Sequence, residues 1–172
     1  MESTVKARAI AWLAAAILAG GCASYSGSNL VPGTSTAGEV EKSMGRPKLK
    51  LPGKGGEAVW YYPRGPLGWH TYAVTVGPDG VMRGIEQRLT VENVKKIVPD
   101  KTTKQEVLAL LGPPKDIAWM PLKPREVWEY QFLEIAYKWQ LFVQFSEDGV
   151  VREVLQMPHP EELRPDSGND FK

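Results

Sequence analysis

Cysteine and histidine are scarce in this chain of 172 residues, which has one cysteine and two histidines. A single cysteine, Cys22, excludes an intrachain disulfide framework and a thiolate-rich metal site. An excess of one charge sign is also lacking, because 21 lysines and arginines nearly balance 20 aspartates and glutamates, and the two signs are interspersed. We therefore expect no nucleic-acid partner and no electrostatic hold on anionic surfaces.

The patterns that accompany common catalytic sites are missing as well. The sequence has no Gly-rich phosphate loop, no HExxH pattern and no G-x-S-x-G elbow. His70 falls in a predicted strand and His159 in a polar tail. Glu39 and Glu106 each follow a threonine by three residues, a spacing that favours helix capping over paired catalytic carboxylates. We expect no catalytic residue, no cofactor and no metal site; an envelope hydrolase, the enzymatic alternative, would need ionisable side chains clustered in a pocket.

The N-terminal segment has no apolar run long enough to span a bilayer. Lys6 and Arg8 precede an apolar run over residues 9–19, about half the length that a transmembrane helix needs. This order of a basic and then an apolar region is typical of a signal peptide. The following LAGGC is similar to a bacterial lipobox, with Ala19 where leucine is usual. We predict that residues 1–21 are a signal peptide; a conventional signal peptide with an incidental cysteine is the alternative.

Cys22 then becomes the first residue of the mature protein and the site of lipidation. Each buried acyl methylene contributes roughly 0.8 kcal/mol, so several acyl chains on one residue hold a protein at a membrane surface. Ala23, the next residue, resembles the outer-membrane sorting class of lipoproteins, in which the retention aspartate is absent. The expected location is the outer membrane, facing the periplasm.

An internal repeat organises the rest of the chain. Residues 31–48 and 98–115 align at a constant offset of 67. The identical pairs are Val31/Val98, Pro32/Pro99, Thr36/Thr103, Glu39/Glu106, Val40/Val107, Gly45/Gly112, Pro47/Pro114 and Lys48/Lys115. VWYY and VWEY then match at an offset of 68, and residues 72–87 match 141–156 at an offset of 69. Two copies of one unit are predicted, because so many matches at one spacing are far above chance.

The repeat sets the predicted domain boundaries. Residues 22–30 form a flexible tether, residues 31–89 the first repeat and residues 90–157 the second. Residues 158–172 are polar and rich in proline, so we predict a disordered tail.

Each repeat has the same predicted plan. A Thr-x-x-Glu capping box begins a helix, and Gly45 or Gly112 ends it. A short preceding helix is expected over residues 90–97. Three strands follow, the last two joined at Asp79-Gly80 or Asp148-Gly149, where a tight turn is favoured over a metal site. The fold class predicted is α+β, with each repeat a short helical hairpin packed on a three-stranded antiparallel sheet.

Two tryptophans are candidate contacts for a protein partner. Three others occupy strand positions predicted to face the helices: Trp60, Trp128 and Trp139. Trp69 has the opposite strand phase, which places it on an open sheet face with Thr71 and Ala73. Trp119 lies in a predicted loop. Exposed aromatic side chains are frequent anchors of protein interfaces; packing within the chain is the alternative for both.

The motifs of the second repeat resemble those of a known family. TTKQEVLALLGPP, then VWEY, then a hairpin closed by Asp-Gly are similar to the BamE (SmpA/OmlA) lipoproteins of the outer-membrane β-barrel assembly machinery. The resemblance implies a lipid-anchored periplasmic scaffold domain without catalysis. It also implies an envelope protein partner, such as that machinery, in assembly or envelope integrity. Members of this family usually carry one such unit, whereas this chain has two.

Tandem units of this type are also similar to secreted β-lactamase-inhibitory proteins, which bind an enzyme over a concave sheet. This second resemblance implies an alternative function, an inhibitor that binds an envelope or secreted enzyme through its open sheet face.

Overall fold

The two predicted repeats form two separate antiparallel sheets in a computed structural model that describes residues 26–64 and 69–163. Each sheet has four strands in sequential order. The elements are α1 (Ala37–Met44), β1 (Leu49–Pro52), β2 (Ala58–Arg64), β3 (His70–Val76), β4 (Met82–Gln87), α2 (Val91–Val94), α3 (Lys104–Leu111), β5 (Asp116–Met120), β6 (Arg125–Glu134), β7 (Tyr137–Phe145) and β8 (Val151–Pro158). The α+β class and the tandem arrangement of two sheets agree with the sequence analysis.

The prediction of three strands per sheet was wrong. Strands β1 and β5 add an edge strand to each sheet, paired with β2 and β6 respectively. They span only four and five residues, and β1 ends at Pro52 while Pro121 directly follows β5, so their sequences are typical of loops. Trp119, predicted to lie in a loop, is therefore part of an edge strand.

Helices α1 and α3 begin and end as predicted. In α1 the Thr36 side chain accepts a hydrogen bond from the Glu39 N–H at 3.3 Å, and Glu39 Oε2 accepts one from the Thr36 N–H at 2.7 Å. Thr103 and Glu106 repeat this capping box in α3. The helix-ending glycines have φ of 82°, which glycine adopts far more readily than other residues.

The predicted helical hairpin is not confirmed. In the second repeat the helix expected over residues 90–97 is the four-residue α2, capped by Thr90. Within the described part of the first repeat, α1 is the α-helix present.

Each sheet packs its helix-facing side into a core of its own. The buried set of the first repeat is Leu30, Val40, Met44, Trp60, Tyr62, Val74, Val76 and Met82. That of the second is Leu89, Val94, Ile97, Val107, Leu111, Trp128, Tyr130, Phe132, Leu141, Val143, Phe145 and Val151. Trp60 and Trp128 are buried on the predicted side, and Trp139 packs against the second core.

Both predicted flexible ends are ordered where the structure describes them. In the tether, Gly27 and Leu30 are buried, and the Ser43 hydroxyl donates to Asn29 Oδ1 at 2.7 Å. In the tail, the His159 N–H donates to the Lys138 carbonyl at 2.9 Å. Residues 26–30 and 158–163 therefore make defined contacts with the repeats, and the flexibility of the tether and the tail in solution stays a prediction.

Cys22, the signal peptide and residues 164–172 lie outside the described residues. No helix among the described residues is long and apolar enough to cross a membrane.

Candidate interaction surfaces

The outer face of the first sheet is covered by the second repeat. Tyr61, Thr71 and Ala73 on this face are each 1% exposed. The Tyr61 hydroxyl donates a hydrogen bond to the Ala109 carbonyl in α3 at 2.9 Å. A Cβ added to Gly112 would lie 2.8 Å from Thr71 Cγ2 and from Tyr61 Cδ1, so the absence of a side chain there permits the close approach. The prediction of an open face at Thr71 and Ala73 was wrong, because α3 packs on both sheets.

Trp69 contacts the end of the second repeat. Its ring meets the His159 ring edge-on, with centroids 5.0 Å apart, and Lys138 Nζ lies 5.8 Å from its centroid. The side chain keeps intermediate exposure. Trp69 therefore takes part in packing between the repeats and still presents part of its surface to solvent.

Trp119 belongs to an exposed apolar cluster on strand β5 and the turn after it. We name this cluster the Trp119 edge; it consists of Ile117, Trp119, Met120 and Leu122. Ile117 and Trp119 are each 54% exposed, and Leu122 is 99% exposed. Ile117 pairs with Trp128 and Trp119 with Glu126, so both side chains lie on the helix-bearing face of the sheet, beyond the reach of α3.

The backbone of the Trp119 edge directs hydrogen-bonding groups away from the sheet, where a partner strand could reach them. The Lys115 N–H donates to the Glu129 carbonyl at 2.9 Å, so the backbone of Glu129 faces β5. Because alternate residues of a strand face alternate neighbours, the N–H and C=O groups of Ile117 and Trp119 point away from β6. The Asp116 carboxylate accepts a hydrogen bond from the Ile117 N–H at 2.8 Å, consistent with that direction.

The first repeat protects the corresponding edge. By register, Lys50 and Pro52 of β1 occupy the positions of Ile117 and Trp119. Lys50 Nζ lies 3.0 Å from Glu41 Oε1 and 3.7 Å from the centroid of the Trp60 ring. Proline has no N–H to donate, and a charged lysine disfavours strand addition, so β1 carries two devices that prevent edge pairing. Strand β5 has neither over residues 117–120.

The outer face of the second sheet carries a polar network. Glu129, which occupies the position of Tyr61, accepts hydrogen bonds from Gln131 Nε2 at 3.2 Å and Gln140 Nε2 at 3.4 Å. Lys115 Nζ lies 3.5 Å from Glu129 Oε1. Phe142 adds a half-buried aromatic side chain to this face. The outer face of the second sheet therefore differs chemically from that of the first, because it carries a carboxylate where the first sheet has the Tyr61 phenol packed against α3.

The carboxylates considered as catalytic residues or as metal ligands are engaged in helix caps and turns. Hydrogen bonding from the Thr36 backbone lowers the pKa of Glu39, and the Thr103 backbone does the same for Glu106. Asp79 Oδ1 accepts from the Val81 N–H at 3.2 Å within the tight turn, and Arg83 is the largest cause of its lowered pKa. Asp148 occupies the equivalent position in the tight turn of the second repeat and accepts a backbone hydrogen bond in the same way.

A shallow groove between the repeats brings other polar side chains together. Its volume is about 440 Å³, and His70, Glu92 and Glu134 line it. Gln87 Oε1 at its wall already accepts from the Thr71 and Leu89 N–H groups. The described residues contain no group of three or more His, Cys, Asp or Glu side chains placed to hold a metal.

Sequence analysis missed Ile117, Met120 and Leu122 as members of an exposed surface. The repeat gives only a weak signal for β5: residues 116–119 are the counterparts of β1 at the offset of 67, but the two segments share no identical residue and neither is typical of a strand by itself. No signal in the sequence indicates that α3 covers the outer face of the first sheet.

Comparison with known proteins gives little to add to this geometry. No family model matches the chain, and no curated protein matches it. A solved structure that it resembles is a DUF4309 family protein, YjgB, from Bacillus subtilis, with 17% sequence identity over 77% of this chain and 84% of that chain. The TM-score is 0.30, so neither fold nor function is transferred from it.

Proposed function

We propose that the protein is a non-catalytic scaffold that binds other proteins at the outer membrane, held there by acyl chains on Cys22. The observation that carries the proposal is the Trp119 edge, where an exposed tryptophan lies beside backbone groups that face away from the sheet. Aromatic side chains dominate the binding energy of many protein interfaces, and an unprotected strand edge is a template for another strand.

The family resemblance supports the proposed role in the bacterial envelope. The helix start, the Gly-Pro stop and the Trp-x-Tyr strand resemble BamE lipoproteins, which places the proposed role in β-barrel protein assembly or envelope integrity, with the β-barrel assembly machinery as a candidate partner. In this proposal α2 and α3 are the helical hairpin of the second unit, with α2 shortened. The capping and turn roles of Glu39, Glu106 and Asp79 leave these carboxylates occupied, which supports a function without catalysis.

Trp69 is the second proposed contact. Its exposed part lies beside Lys138 and His159, so a partner there would touch both repeats.

Co-purification from detergent-solubilised membranes tests the proposal. We expect envelope proteins, further copies of the chain, or both to accompany a tagged wild-type chain and to be lost from Trp119→Pro. That substitution places in β5 the residue that β1 already tolerates at Pro52, so it removes an outward N–H without disturbing the pairing with β6. Met157→Lys, at an exposed position of β8, is the matched control and should retain the partners. Equal recovery of every partner by Trp119→Pro would contradict the proposal.

Fractionation of Cys22→Ser tests the anchor separately. We expect this form to leave the membrane fraction. A Cys22→Ser form that is still processed and acylated would contradict the assignment of Cys22.

The inhibitor alternative rests on a different surface. Because α3 covers the first sheet, only the second sheet could offer the enzyme-binding face among the described residues, and that face carries Phe142 and the Glu129 network. In this alternative a single enzyme co-purifies with lost activity. Phe142→Glu would abolish its capture, and Trp119→Pro would leave it unchanged.

A further inference from the structure

We propose that the Trp119 edge binds a second copy of this chain, through antiparallel pairing of the two β5 strands. The inference rests on the proposed function in one respect, namely that this edge contacts protein. It goes further by naming a second copy of the chain as the partner. Of the edge strands in the two sheets, β4 and β8 carry charges such as Arg83 and Arg152, and β1 carries Lys50 and Pro52. Strand β5 begins with the charged Asp116 and is uncharged from Ile117 to Met120.

Backbone geometry selects the register. In an antiparallel pair the outward-facing residues of one strand must meet those of the other, so that both N–H···O=C bonds form between them. The outward-facing residues of β5 are Ile117 and Trp119. If a twofold axis passes through Ala118, Ile117 of each copy meets Trp119 of the other, and all four residues are used.

The side chains fit the same register. Ile117 and Trp119 lie on one face, so each exposed isoleucine packs beside an exposed tryptophan, a favourable cross-strand combination. Ala118 meets its own copy at the axis, where the two Cα atoms of a non-hydrogen-bonded pair approach to about 4.5 Å and a small side chain is suited. Asp116 is opposite Met120, so the two carboxylates do not meet. Pro121 is opposite Lys115 and, lacking an N–H, ends the ladder.

When the two β5 strands pair, the Ile117 N–H exchanges one hydrogen-bond acceptor for another and is not left without one. The Asp116 carboxylate accepts the Ile117 N–H in the single chain, and the Trp119 carbonyl of the second copy takes its place in the pair. The freed carboxylate returns to water at an exposed position. One strand pair buries less than about 1,200 Å², so the dimer is expected to be weak and concentration dependent. Anchoring both copies to one membrane would raise their effective concentration.

A cysteine at the axis tests the register directly. Cys22 is the only cysteine, so the full chain with Cys22→Ser and Ala118→Cys has one thiol. The expected Cα separation across the axis, about 4.5 Å, is within the range that a disulfide spans. We expect mild oxidation to give a disulfide-linked dimer, and the same chain with Leu155→Cys, on the exposed edge strand β8, to stay monomeric.

Sedimentation of the Cys22→Ser chain gives the second readout. We expect dimer to accumulate with concentration, and Trp119→Pro to abolish it and the Ala118→Cys crosslink while Met157→Lys retains it. Thermal unfolding of Trp119→Pro close to that of Met157→Lys separates lost pairing from lost folding. A monomer at all concentrations with no Ala118→Cys crosslink would overturn the second copy as partner. Crosslinking of Ala118→Cys in cells to a different protein alone would also overturn it, while leaving the scaffold function standing.

Discussion

The Tyr61 hydroxyl donates a hydrogen bond to the Ala109 carbonyl at 2.9 Å and so joins the first sheet to the last turn of α3. In a continuing helix this carbonyl would accept from the N–H four residues on, but that residue is Pro113, which has none. Pro114 deprives Leu110 in the same way, and Asn93 Nδ2 lies 3.4 Å from the Leu110 carbonyl. Prolines that end α3 therefore create acceptors, which groups outside the helix satisfy.

Tyr61→Phe measures the contribution of this bond. Removing the hydroxyl leaves the Ala109 carbonyl without that donor, and we expect the free energy of unfolding to fall by about 1 kcal/mol in urea titration. Tyr137→Phe, at an exposed tyrosine, is the control and should change little. Equal stability of the two variants would contradict the assigned role of the bond.

Gly112→Ala and Gly45→Ala form a matched pair. Both glycines have φ of 82° at equivalent helix ends, so the backbone strain from alanine is the same. A Cβ at Gly112 would lie 2.8 Å from the first sheet, whereas nothing lies within 4 Å at Gly45. We expect Gly112→Ala to destabilise the protein more than Gly45→Ala, by roughly 1–3 kcal/mol for the overpacked contact. Similar losses of stability would contradict the close approach of the repeats.

Buried tyrosines predict a loss of stability at high pH. Burial raises the pKa of Tyr62 to about 12 and also raises those of Tyr61 and Tyr130. A folded-state pKa above the unfolded value, about 10, means that the stabilisation is complete below pH 10 and is lost as pH rises toward 12. Urea titrations at pH 9 and 11 should show this loss.

Tyr62→Phe separates the ionisation from packing. The Tyr62 hydroxyl is buried without a hydrogen-bond partner among the described residues, so its removal should cost no stability at pH 7. We expect the alkaline loss to become smaller in this variant. A pH dependence identical to the wild type would contradict the assignment.

The turn between β6 and β7 holds a residue in an unfavourable conformation. Ile135 has φ of 59° and is fully exposed, so it incurs the strain of the left-handed region without burying its side chain. Ile135→Gly should raise the free energy of unfolding by roughly 0.5–1 kcal/mol, since the relief exceeds the entropy cost of glycine. Ala136→Gly, at a position without positive φ, should lower it. Thermal or urea unfolding of both variants measures the difference.

The duplication and the helix ends could be predicted because their signals are local. A capped helix is specified within a few residues by Thr36 with Glu39 and by Gly45 after the last turn. The second repeat has the same residue types at the equivalent positions. The core sides of β2 and β6 followed from strand alternation, which placed Trp60 and Trp128 correctly.

Short edge strands and covered faces could not be predicted, because distant partners decide them. Strand β5 has few residues and forms by pairing with β6, so its own composition gives a weak signal. Whether Thr71 and Ala73 face water depends on where α3 packs, which no spacing within the first repeat records. The face of the first sheet that was wrongly predicted to be open therefore lies at the contact between the repeats.

Photo-crosslinking from position 119 in intact cells tests the central claim, that the Trp119 edge binds protein, most directly. The matched control is position 50 on β1, the protected edge of the first repeat. The account predicts a protein adduct from position 119, either to a second copy or to an envelope protein, and none from position 50. No adduct from position 119, or equal adducts from both edges, would contradict it.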